Sequence, residues 1–177
     1  MALPDATRSS VVAQAAAGDQ AAFARLVAEH HPSMARVAYA ITGERETAED
    51  AVQSAWSVAW RRLGSLRDPG VVRSWLVAIA ANEARQVLRR QRTRTIVDLS
   101  NVPDDRGGGD PSDRIQTVDL ARVLRGLNAE DRSLLALRFA AGLDSTEIAA
   151  QVGISASGVR NRLSRLIERL RRDLDHA

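Results

Sequence analysis

The sequence predicts an all-α protein of two small helical domains, an N-terminal helical bundle and a C-terminal helix-turn-helix domain, joined by a flexible acidic linker. Three observations carry this. Hydrophobic residues make up 45% of the chain but aromatics only 3%, with Ala and Leu dominant, a balance that favours helices over sheets. Helix caps and apolar stripes can be read in both halves of the chain. Between them, Asn101 to Ser112 holds Pro103, Gly107-Gly108-Gly109 and Pro111 among several Asp, the composition of a linker. The total of 177 residues suits one domain or two small ones.

Taken in order, Gly18-Asp19 opens the first clear helix, with Asp19 as N-cap and Phe23, Leu26 and Val27 as its stripe. His30-His31-Pro32 predicts a break, because a residue preceding proline avoids helical geometry. A second helix is expected from Pro32 to Thr42, ending at Gly43. Thr47 to Asp50 reads as a capping-box variant starting a third helix to about Leu63, with Val52, Trp56, Ala59 and Leu63 inward. Gly64 to Gly70 reads as a loop, and a fourth helix as 71–92. After the linker a second helical block starts near Val118. Asn128 caps a helix containing Leu134, Leu135 and Leu137. Asp144-Ser145-Thr146-Glu147 is a capping box for a short helix that Gly153 ends, and Ser155 begins the last helix, to about Leu174.

Charge is segregated. The net charge is only +3, yet all 25 basic residues are Arg. Residues 61–94 carry 9 Arg and 2 acids, residues 95–120 carry 2 Arg and 6 acids, and residues 154–177 carry 6 Arg and 3 acids. Two basic blocks around an acidic one point to two nucleic-acid surfaces, with solvated helix faces as the plainer alternative. The absence of Cys excludes disulfides and Cys-ligated zinc. The three His are expected to be solvent-exposed, so no metal or other cofactor is expected. No catalytic constellation or phosphate-binding Gly loop stands out, which argues against an enzyme. No apolar run nears the ~20 residues of a membrane span, and the N-terminus lacks the build of a signal peptide. The expected location is therefore the cytoplasm, without direct membrane insertion.

Two helices carry candidate sites. In the last, Val159, Leu163, Leu166, Leu170 and Leu174 fall on one side at 100° per residue. Asn161, Ser164 and Arg165 fall opposite, flanked by Arg160 and Arg162. Such a helix can enter a major groove, where Arg forks onto guanine and Asn onto adenine. Here Arg162, nearer the apolar side, is expected to grip phosphate. The alternative is a surface helix laced with pairs from Glu168 to Arg165 and Arg172. On the fourth helix Trp75, Asn82, Gln86 and Arg89 share one side, with Leu76, Ile79, Ala80 and Val87 adjacent. An aromatic with amides and Arg suits stacking on unpaired bases, while a core role for Trp75 stays open.

Three motifs in order then resemble the extracytoplasmic-function class of the sigma-70 family, over about residues 20–92 and 118–174. Ala48-Glu49-Asp50-Ala51-Val52-Gln53 to Ala59-Trp60-Arg61 resembles its core-polymerase-binding helix. Ser74-Trp75-Leu76 to Ala81-Asn82 resembles its promoter-melting and minus-10 helix. Leu137-Arg138-Phe139 to Gly142-Leu143, Glu147-Ile148-Ala149 and Gly158 to Leu163 resemble its minus-35-reading helix-turn-helix. Ser54 stands where the family usually has an acid, Glu83 where an apolar residue is common, and Ser157-Gly158 where Gly-Thr is more usual.

The resemblance implies a sigma factor that binds core RNA polymerase and directs it to promoter DNA. Residues 10–92 would be the region 2-like domain, 93–117 the linker and 118–177 the region 4-like domain, with no further C-terminal domain. Asp50 and Gln53 would contact polymerase. Trp75, Asn82, Gln86 and Arg89, with the Gly64–Gly70 loop holding a flipped base, would act at the minus-10 element. Arg160, Asn161, Arg162, Ser164 and Arg165 would act at the minus-35 element. The acidic linker would lie in the polymerase's RNA path. An anti-sigma factor, in this family often a membrane protein, is a further implied partner. The alternative is a helix-turn-helix regulator that acts without core polymerase.

Overall fold

Asp19 accepts hydrogen bonds from the amides of Ala21 (2.8 Å) and Ala22 (3.2 Å), and so starts the helix around which the rest is built. In the computed structural model, which describes residues 5–97 and 126–175, this helix is α2, Gln20–Thr42. It comes after α1, Asp5–Ala16, and precedes α3, Arg45–Arg62, and α4, Val72–Val97. Beyond the gap come α5, Ala129–Leu135, α6, Ser145–Val152, and α7, Ala156–Asp175. Among the described residues every regular element is helical, as expected. Most of the expected linker, and the expected helix start near Val118, lie outside them.

The helices α2, α3 and α4 pack mutually, and α1 lies on α2 and on the turns between α3 and α4. Their seam is rich in alanine: Ala38, Ala51, Ala55, Ala59, Ala80 and Ala84 are fully buried. Small side chains let helix axes approach closely, and larger plugs such as Leu26, Met34, Ile41 and Leu76 fill the rest. Phe23 meets Trp56 and Trp60 edge-on, with ring centroids at 5.6 and 4.8 Å, fastening α2 to α3.

Several boundaries differ from the sequence reading. The break at His30-His31-Pro32 does not occur: α2 runs through Pro32. The stripe Ala22, Leu26, His30, Met34, Val37, Ala38 and Ile41 is buried continuously across it. Pro32 itself is exposed, so the amide it lacks is missing on the solvent side of the helix, where the freed carbonyl is not buried. His30, expected in solvent, is therefore buried. The capping box from Thr47 to Asp50 does not form either. The N-cap of α3 is Glu44, in extended geometry, and Thr47 is buried with its hydroxyl bonded to the Glu44 carboxylate. Helix α4 continues past Arg92 to Val97. Helix α1 escaped the reading because only Val11, Val12 and Ala15 mark its buried side.

The second group of helices matches its signals closely. The side chain of Asn128 accepts from the Asp131 amide at 2.8 Å. Asp144 accepts from Thr146 and Glu147 amides while Glu147 accepts from the Asp144 amide, a complete capping box. Gly153, at φ 74°, ends α6 in the left-handed region. Between α5 and α6, Ala136–Ala140 forms a wide π-helical turn closed by Ala141 N–H to the Ala136 carbonyl. This group lies on the first: α2 contacts α5 and the wide turn, and α4 contacts α5, the wide turn and α6.

Candidate nucleic-acid and polymerase interfaces

Helix α7 has the two-sided character its pattern predicts. Val159, Leu163 and Leu166 are buried and Leu170 is partly so, whereas Arg160, Asn161, Ser164 and Arg165 are exposed. Leu174, expected on the stripe, is 39% exposed. Ser155 caps the helix, its hydroxyl accepting from the Gly158 amide at 3.1 Å. Arg162 does not stand free. Its Nε donates to Asp131 Oδ1 at 2.9 Å, its Nη2 lies 2.7 Å from the same oxygen, and Glu130 is 3.6 Å away. Asp131 also accepts from Asn128 Nδ2, so one carboxylate joins the start of α5 to the middle of α7. Glu130 and Asp131 meet an Arg 31 residues further along, a pairing with no visible sign in the sequence.

On α4 the four candidate residues form one line, as their spacing predicts. Trp75 and Asn82 line a small cavity of about 130 Å³ together with Ser133, Leu137, Gln151 and Val152 of the second group. Asn82, Gln86 and Arg89 line a polar groove of about 670 Å³ beside Asn128 and Glu130. Trp75 is half-buried there, neither sealed in the core nor open. Leu76 and Ala80 are fully buried, with Ile79 and Val87 packed against the core. Asn82 Oδ1 accepts from Arg85. Gln86 donates to Glu83 at 3.1 Å and accepts from Arg90 at 3.4 Å, so the unusual acid at 83 orients an amide.

The third surface is an open cleft of about 1020 Å³ between α2 and α3. Asp50 and Gln53 are both exposed and line it. Trp56 of α3 lines it beside them, and His31, Arg36 and Tyr39 of α2 lie across it; the sequence reading placed none of these four in a polymerase contact. Trp56 Nε1 donates to His31 Nδ1 at 3.3 Å. Tyr39 is 55% exposed. In a chain with one Tyr, its position off the buried stripe of α2 was the available clue. Arg45 and Glu49 pair at 2.8 Å on the rim, and that hydrogen bond with the carboxylate's charge raises the arginine pKa further. The loop after α3 folds as two short turns, Leu63–Ser65 and Pro69–Val71, with Asp68 accepting from the Gly70 amide at 2.8 Å. Among the described residues no group of His, Cys, Asp and Glu is arranged to hold a metal ion, and no helix is long and apolar enough to cross a membrane.

Comparison with known proteins agrees with this arrangement. Residues 26–94 match the family model Sigma-70 region 2, and residues 117–170 match Sigma-70, region 4. The ECF RNA polymerase sigma factor SigL of Mycobacterium tuberculosis is 30% identical over 166 residues, covering 90% of this chain and 93% of that protein. "Probable RNA polymerase sigma factor RfaY" of Xanthomonas campestris is 32% identical over 96% of this chain, which spans 44% of that protein's length. A solved structure of CnrH in complex with the cytosolic domain of CnrY superposes with a TM-score of 0.73 at 29% identity, covering 97% of this chain and 99% of that one. With both matched regions in order and a relative of this identity covered nearly end to end, the chain belongs to the sigma-70 family, as an RNA polymerase sigma factor of the extracytoplasmic-function class.

Proposed function

We propose that the chain binds core RNA polymerase through the α2–α3 cleft and carries it to promoters read by α4 and α7. The observation that supports this most is the exposed front of Arg160, Asn161, Ser164 and Arg165 over a buried Val159, Leu163 and Leu166 back. It offers hydrogen-bonding groups to a major groove while the domain behind it stays packed. Asp50 and Gln53, one turn apart on α3, contribute the polar part of the polymerase contact, and Tyr39 and Trp56 the apolar part. Trp75, Asn82, Gln86 and Arg89 engage unpaired minus-10 bases, with the 63–71 loop beside them.

Residues 10–92 and 118–177 act as the two domains, and the chain works in the cytoplasm, where promoter DNA and polymerase are found. It contributes binding energy to transcription initiation and makes or breaks no bond itself. By analogy with the solved complex of the sigma factor RpoE with the anti-sigma factor NepR from Bartonella quintana, an anti-sigma factor is a natural partner. Run-off transcription with core polymerase on a promoter library tests the reading. Specific transcripts that depend on the chain support it. Duplex binding without any effect on polymerase would favour the regulator alternative.

A further inference from the structure

The two amides on the candidate base-reading side of α4 are not free to present either end. A carboxamide carries a donor NH2 and an acceptor oxygen on one flat group, and turning it over exchanges the two. Asn82 is exposed, and Arg85, one turn further along, donates from Nη2 to its Oδ1. A guanidinium has only donors, so the atom facing it must be the oxygen. Oδ1 is therefore turned to Arg85, and Nδ2 is the end left for a partner. The pair needs no other element, because both residues lie on one helix, three positions apart, where side chains meet. Arg85 is partly buried, which limits the other positions its head can take.

Gln86 obeys the same rule from both ends. Glu83, a carboxylate that only accepts, takes its Nε2 at 3.1 Å, and Arg90, which only donates, faces its Oε1 at 3.4 Å. Its orientation does not depend on Arg85.

The consequence is a polarity. Guanine and thymine carry a keto oxygen where adenine and cytosine carry an amino group. A free asparagine forks onto adenine, accepting from its amino group and donating to its ring nitrogen. Asn82 meets an amino group with its oxygen already engaged and a positive charge beside it. It meets a keto oxygen with a free donor. We propose that Arg85 is a positioning residue that sets the base preference of Asn82, restricting it to a keto base, guanine or thymine, at one unpaired position of the minus-10 element. This rests on the proposed role of α4 at unpaired bases.

The test uses holoenzyme assembled from core polymerase and the full chain. Its templates have a pre-melted bubble in which each minus-10 position of the non-template strand carries each of the four bases in turn, and transcript yield is read. Asn82→Ala identifies the position that Asn82 reads, as the one where discrimination collapses. The parent chain should favour guanine or thymine there over adenine by about fivefold, the factor for one hydrogen bond. Arg85→Met keeps the apolar stem without its donors and should bring adenine level with the keto base. Arg85→Lys, which still donates, should keep the preference. Asn82→Asp, which has acceptors only, should turn the preference to adenine or cytosine. With circular dichroism confirming a folded chain, discrimination at the remaining positions should match the parent in Arg85→Met, which a general loss of packing would not allow. A parental preference for adenine or cytosine at that position, a keto preference that survives Arg85→Met, or equal effects of Arg85→Met and Arg85→Lys overturns the proposal and leaves the base-reading role of α4 standing. No change at any position in Asn82→Ala overturns both.

Discussion

Breaking the Asp131–Arg162 pair is the most discriminating single perturbation of the second domain. Asp131 is the more deeply placed partner, its side chain only 12% exposed, while Arg162 is 41% exposed. A fully exposed pair would be worth ~0–1 kcal/mol, and losing one partner of a fully buried pair costs ~3–5 kcal/mol. Arg162→Ala leaves a mostly buried carboxylate with only Asn128 as neighbour, so its cost lies between these limits, about 2 kcal/mol. For a chain of this size that is a fall in Tm of about 4–8 °C. Asp131→Ala should cost a similar amount, and the double variant less than the sum, with coupling of about 1–2 kcal/mol. Thermal melts of the four chains give the cycle. Because Asp131 already neutralises Arg162, Arg162→Ala should alter the salt slope of minus-35 duplex binding by well under one unit. Coupling near zero, or a slope lower by a full unit, would refute the pairing argument and return Arg162 to the phosphate-gripping role its sequence position suggested.

The same surfaces set three further outcomes. Gln53→Ala and Asp50→Arg should weaken core binding, measured by fluorescence anisotropy, with unchanged melts; because Glu44 is the cap of α3, Asp50→Arg carries no capping penalty, and unchanged affinity in both removes them from the interface. Trp75→Ala should bind core normally yet open promoters about tenfold less well, as expected for loss of ~1–3 kcal/mol of stacking, with partial rescue on a pre-melted bubble. If the bubble gives no rescue and Tm falls, Trp75 is a packing residue. In a randomised minus-35 library, Arg165→Ala, Arg160→Ala and Asn161→Ala should each relax preference at one position, costing ~1–3 kcal/mol there; parental preferences in all three would mean that another face of α7 reads DNA.

Local signals were legible wherever the physics was local. Asp19, Asn128, Asp144 and Gly153 end or start helices through bonds to backbone a few residues away, and each sits at the boundary its residue type suggests. The faces of α7 and α4 were readable for the same reason, since 3.6-residue periodicity is a property of the segment. Failures came where distant packing outweighed a local preference. Pro32 was read as a break, but a buried stripe of seven residues crosses it. Thr47 was read as a cap, but its hydroxyl is drawn inward to Glu44 and Gln91. The partners of Arg162 and Arg73 lie 31 and 68 residues away, beyond any periodicity. Tyr39 and Trp56 were visible as residues, but their meeting in one cleft depends on how α2 crosses α3.

The wide turn at Ala136–Ala140 makes the approach of α6 and α7 depend on a residue count. Relative to an α-helix, the hydrogen bond there spans one extra residue from Ala141 to Ala136, and the closing bond from Leu143 to Leu137 spans two. The added residue rotates the succeeding helices by about a quarter turn relative to an unbroken α-helix. It leaves Phe139 64% exposed while Arg138 reaches back to the Leu143 carbonyl at 3.0 Å. Removing or adding a single position would re-point the helices behind it as a rigid unit, much as a shim alters the angle of a hinge without touching the door.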